Sequence, residues 1–171
     1  VTNSKSLNGW GGGIYSKSFV DVTDSFIAGN SAYEKGGGIY AYNGLNIKYS
    51  TIDSNHAGYN GGGAFGYGNI TITNSTISNN DSDDRGGGVF MGEGPAATIA
   101  PTILSSTISG NNAYWGGGVT IIDYLGAHDA RIANSTIAFN YERSPTKYGG
   151  GLYAHGTVDL ESTIVSNNFY L

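Results

Sequence analysis

The side chains best suited to chemistry in this chain are few and mostly acidic. The stretch "NNDSDDRGGG" places Asp81, Asp83 and Asp84 within four positions. Carboxylates this close repel one another, and a hard cation such as Ca²⁺, which binds carboxylate and carbonyl oxygens, would relieve the repulsion. Arg85 follows directly and offers the other reading, a solvated acidic loop beside a guanidinium. The spacing also departs from the nonapeptide Ca²⁺ repeat. A second group, Glu93, Asp123, Tyr124, His128 and Asp129, lies in "MGEGPAATIAP" and "TIIDYLGAHDA". Cleavage of a polysaccharide needs two or three carboxylates, or carboxylate-bound Ca²⁺ with a basic residue, converging on one face. Asp21, Asp53, Arg131, His155 and Asp159 are the remaining candidates, and they are scattered along the chain. No residue is assigned a catalytic role.

Composition narrows the partners. The 171 residues carry a net charge of −5, with Lys and Arg in no run. Nucleic acid and anionic membranes are therefore poor partners. No apolar stretch approaches the 18 or so residues of a membrane-spanning helix. Cysteine is absent, which excludes disulfides and thiolate metal sites. Apolar content of 39% with 13 tyrosines gives the chain a core to bury, unlike a disordered segment. The first residue is Val1, which a removed leader or excision from a longer chain explains equally well.

What positions these residues is a repeat. Glycine triplets begin at Gly11, Gly36, Gly61, Gly86, Gly116 and Gly149, at intervals of 25, 25, 25, 30 and 33 residues. Each is followed by a second motif: "SFIAGN", "STIDSN", "STISNN", "STISGN", "STIAFN" and "STIVSN". Its isoleucines are Ile27, Ile52, Ile77, Ile108, Ile137 and Ile164; its asparagines are Asn30, Asn55, Asn80, Asn111, Asn140 and Asn167. A fixed period of this size marks a solenoid or an array. Gly, Ser, Thr and Asn are poor helix formers, and short alternating runs such as "NITIT" read as strands. The expected fold is all-β: a right-handed, single-stranded parallel β-helix of about six coils with three short strands per coil. Residues 1–171 form one such domain. Like residues stack, so the isoleucines form an interior row. The asparagines sit at a bend and bond backbone groups of adjacent coils. The triplets hold 18 of the 29 glycines, as a bend repeated at every coil requires.

"GGGIY", "GGGVF" and "GGGLY" paired with Ile-x-x-Asn resemble the GGAI and FxxN repeats of polymorphic outer-membrane proteins. They are also similar to glycine-rich repeats of very large bacterial surface and secreted proteins. The resemblance runs from about Gly9 to Asn168. It implies a right-handed parallel β-helix outside the cell, in an adhesin, passenger or surface-layer segment. Here the third triplet residue is Gly rather than Ala, and Ile replaces Phe in the Asn motif.

Two features offer contact surface. The distance from triplet to isoleucine is 16 residues in coils one to three and 15 in coil six, but 22 and 21 in coils four and five. Insertions in neighbouring coils are expected to form one protrusion carrying Glu93, Asp123, Tyr124, His128 and Asp129. The second feature is an aromatic row. If Ile14 and its equivalents point inward, Tyr15, Tyr40, Phe65, Phe90, Thr120 and Tyr153 point outward, with Tyr42 and Tyr67 beside them. An exposed strip of this kind would contact sugar rings or a sister subunit, whereas a register slip of one residue would send it inward.

Start and end lie at nearly the same phase of the repeat, so both ends are expected to be open. This suits an excised piece of a longer solenoid, or subunits stacked end to end. The expected function is a non-enzymatic extracellular structural protein, a segment of a surface adhesin or the subunit of a head-to-tail filament. The alternative is a carbohydrate-binding or polysaccharide-cleaving β-helix protein using the loops of coils four and five. Expected partners are other copies of the chain and a glycan or host surface, and no cofactor is implied beyond the candidate Ca²⁺ loop.

Overall fold

The structure, a computed structural model, describes residues 1–92, 94, 99–123, 129–146 and 148–170. The chain winds into a parallel β-solenoid of about six turns. Strands pair in parallel with their equivalents in the adjacent coils, giving one seven-stranded and three six-stranded sheets. Coil two shows the plan: Ile39–Ala41, Leu45–Lys48, Thr51–Asp53 and His56–Ala57 each belong to a different sheet. There are thus four strands per coil, not the three expected. The extra strand follows the asparagine, where two residues suffice to pair, as Ser31↔His56 and Ala32↔Ala57 do. So short a strand shows no alternation in sequence, because two residues cannot establish a period.

The interior is a set of columns. Ile27, Ile52, Ile77, Ile108 and Ile137 are in register and buried. The sixth member is Val165, which pairs with Ile137, while Ile164 pairs with Thr136 on the outer face. Asn168, not Asn167, accordingly completes the asparagine column. In coil six Thr163 occupies the place that serine holds elsewhere, so its "STI" is shifted by one residue.

Two polar ladders hold this register. At the corner after the isoleucine strand, Asn30 N donates to Asn55 Oδ1 at 2.9 Å. The same pattern continues through Asn80, Asn111, Asn140 and Asn168. Each Nδ2 donates to the next asparagine's Oδ1, and from Asn55 onward also to the isoleucine carbonyl of the preceding coil. At the corner before the isoleucine strand, Ser25 N donates to Ser50 Oγ at 3.0 Å, and so on through Ser75, Ser106, Ser135 and Thr163. Both corners turn on a left-handed residue just before the ladder member, for example Tyr49 (φ 48°) before Ser50 and Phe139 (φ 58°) before Asn140. Such a conformation costs a bulky L-residue about 1–2 kcal/mol.

The triplet makes the third bend. In coil two Gly36 is left-handed at φ 68°. A Cβ on Gly37 would run into the carbonyls of Gly62 and His56, and one on Gly38 would press on Asn55 at 3.0 Å. The three glycines thus serve a turn, a close backbone approach and room for the buried amide. In coil five Glu142 anchors the residues that lead into the triplet. This fully buried carboxylate accepts from Tyr148 N at 2.8 Å and Gly149 N at 2.6 Å.

Asn80→Ala removes the acceptor of two Asn55 donors and the donor to Ile52 O, all buried. Urea unfolding is expected to register a loss of about 3 kcal/mol or more. Asn168→Ala, at a half-buried rung, costs less, and Asn167→Gly at the exposed left-handed position is near neutral. Equal losses at Asn167 and Asn168 would refute the shifted register.

Candidate functional site

The sheet that follows the asparagines carries an outward column in which Lys5, Ser31, His56, Asp81, Asn112, Tyr141 and Phe169 stack by register. Stacking brings His56 against the acidic run one coil on, which is a strand, Asp81–Arg85, and not the loop expected. Its Nδ1 lies 2.9 Å from Asp81 Oδ2, and its Nε2 lies 4.0 Å from Asp83 Oδ2. Arg143 reaches back from coil five to Asp81 Oδ1 at 3.0 Å and Ser82 O at 2.5 Å, with Asp83 Oδ1 at 3.7 Å. Beside this network runs a groove of about 520 Å³, lined by Lys5, Ser31, Tyr33, His56, Tyr59 and Asp83 among others.

Of the three carboxylates, Asp81 and Asp83 gather with His56, their ligand atoms within 4.8 Å of one another. Asp84 turns away to Arg85 at 3.8 Å, and burial pushes its pKa up. One imidazole and two carboxylates already engaged with Arg143 do not make the oxygen cage that Ca²⁺ takes. Burial works against ionisation of Asp81, yet the hydrogen bond with His56 and the Arg143 guanidinium outweigh it and hold Asp81 below the ordinary 3.8. The hydrogen bond to Asp81 raises His56 above 6.5 despite partial burial.

The aromatic row faces away from the isoleucine core, but it does not form an exposed strip. Tyr15, Tyr40, Phe65 and Phe90 stack as one file, with centroid separations of 5.4, 5.2 and 4.9 Å. Tyr40, Phe65 and Phe90 are buried, Tyr67 and Tyr153 are half-buried, and Tyr15 and Tyr42 remain exposed. The cover comes from residues just before the triplets. Trp10 stacks on Tyr40 at 5.1 Å, the Lys35 ammonium lies 5.1 Å from the Phe65 centroid, and Tyr148 packs on Tyr153 at 5.5 Å. The row is an outer second core, and burial with the neighbouring phenols lifts the Tyr40 hydroxyl to about 12.

Of the insertion residues, Glu93, Tyr124 and His128 lie outside the described residues. Asp123 is buried, its N donating to His155 O at 2.8 Å, and Asp129 is exposed. The scattered candidates are engaged separately: Asp53 accepts from Ser54, Ser78 and Asn79 at a corner, Asp21 from Asn46, and Arg131 pairs with Glu161 at 2.6 Å. Sequence reasoning missed His56 and Arg143. The 25-residue period would have found His56 opposite Asp81; nothing in the spacing marks Arg143.

Stacked parallel coils with internal polar ladders define a β-solenoid repeat protein. Within it, residues 24–42 match the Chlamydia polymorphic membrane protein repeat. The matched stretch holds Ile27, Asn30 and the triplet at Gly36, which are one turn of the ladder system. No curated protein and no solved structure matches the chain.

The His56–Asp81 pair sets a pH dependence. The raised His56 contributes stability that is complete below 6.5 and lost as pH rises through its folded value. The lowered Asp81 contributes above 3.8 and loses its part in stronger acid. His56→Ala is therefore expected to destabilise more at pH 5.5 than at pH 8.5 in urea titrations; equal losses would show that the pair is not coupled.

Proposed function

We propose that this chain is a rod-like, non-enzymatic segment of an extracellular surface protein, a right-handed solenoid that displays its outer faces away from the cell. The observation that carries this reading is the unbroken run of the asparagine ladder from Asn30 to Asn168, which makes the six coils one rigid column. The match to a membrane-protein repeat at residues 24–42 supports the surface location. The apolar columns run through the stack: Leu160 and Val165 continue those of Ile132 and Ile137. We infer that copies stack head to tail, with such columns running on from one copy to the next.

Sedimentation velocity over a hundredfold range of concentration tests the assembly. Growing end-to-end oligomers are expected, and Leu160→Glu with Val165→Glu is expected to return the protein to monomer with its circular dichroism unchanged. A parent protein that stays monomeric throughout removes the filament reading. Antibodies raised against the chain are expected to label intact cells that produce it; labelling only after permeabilisation removes the surface reading.

A further inference from the structure

We propose that the groove over coils one to three binds the pyranose rings of an oligosaccharide. Two aromatic platforms border it. Tyr33 is 63% exposed and Tyr59 is 54% exposed, and among the described residues neither ring packs on another aromatic. Their backbones are nevertheless fixed, Tyr33 N bonding Ser6 O at 2.9 Å and Tyr59 N bonding Glu34 O at 2.7 Å. Gly58, just before Tyr59 and in step with Tyr33, lets the two backbones approach closely; a Cβ there would strike the Tyr33 carbonyl. Large exposed rings on a rigid frame lose little entropy on binding, and their negative faces suit the weakly positive C–H edges of a sugar.

The polar lining points the same way. Lys5 forms no ion pair among the described residues, and the Asp83 oxygens lie 3.7 and 4.0 Å from Arg143 and His56, beyond hydrogen-bond reach. An unpaired ammonium and an exposed carboxylate that keeps hydrogen-bonding capacity beside its longer ion pairs with Arg143 and His56 face one hollow, which suits hydroxyl groups that both donate and accept. Phosphate-rich ligands meet Asp83 and a net charge of −5 instead. A second hollow of about 410 Å³ adjoins the first through Ser6 and is lined by Trp10, Tyr15 and Glu34. Trp10 and Tyr15 are 39% and 45% exposed, so aromatic surface continues from Tyr59 and Tyr33 into this hollow. The extended run fits a chain of sugars better than a single ring.

Isothermal titration of the purified chain with maltohexaose, cellohexaose, chitohexaose and a heparin hexasaccharide tests this. At least one neutral hexasaccharide is expected to bind saturably at low-millimolar concentration. Tyr33→Ala and Tyr59→Ala are each expected to weaken it roughly tenfold, the scale of a lost aromatic stack, and Asp83→Asn to weaken it too. Because these residues are exposed, circular dichroism and melting temperature should match the parent. No saturable binding, binding unchanged in both tyrosine variants, or binding of the heparin fragment alone would each overturn the proposal. None of these readouts depends on self-association or cellular location, so the surface-rod reading stands or falls separately.

Discussion

A buried amide that only the neighbouring coil can satisfy governs this molecule. Each ladder asparagine from Asn30 to Asn140 sits inside a corner with both halves of its side chain out of water, and its partners lie one coil away in either direction. An unpaired buried amide costs more than a made hydrogen bond returns, so the ladder penalises slippage more than it adds stability. The serine ladder repeats the logic at the other end of the isoleucine strand. Register is fixed at both ends of a three-residue strand, and the isoleucine column between them follows.

Irregularity is admitted only where it leaves the ladders intact. The long intervals of coils four and five fall between Gly92 and Thr102 and between Ile122 and Ala130, well away from the asparagine and serine corners. Coil five also spends nine residues from Asn140 to Gly149 where earlier coils spend five or six, and there the buried carboxylate of Glu142 stands where other coils place Ala32, Ala57, Ser82 or Ala113. The left-handed residues show the same priority. Tyr49 and Phe139 accept a strained backbone because the corner cannot be made otherwise.

The outer faces divide by what covers them. On the sheet after the triplets, the rings of Tyr40, Phe65 and Phe90 are roofed by the residues that lead into the bend, so their apolar area goes to cohesion. On the sheet after the asparagines no such roof forms over Tyr33 and Tyr59 among the described residues, and the groove keeps its aromatic surface for contact. Stability and recognition thus occupy adjacent sides of one coil.

The sequence alone determined the period, the parallel stacking, the interior isoleucines of coils one to five and the bending role of the triplets. Each is a property of every coil, and repetition makes a weak local preference unmistakable. It also held an unread sign of the coil-six shift: the triplet-to-isoleucine distance there is 15 rather than 16, and counting to Val165 restores it. Doubled residues hid the shift, because "STIV" and "NN" fit either register. Only the tertiary structure decided the fourth strand, the roof over the aromatic row and the meeting of His56, Asp81, Asp83 and Arg143. These depend on side chains crossing from one coil to another, as Arg143 does in reaching coil three. Distances of that kind belong to the stack and not to any single repeat.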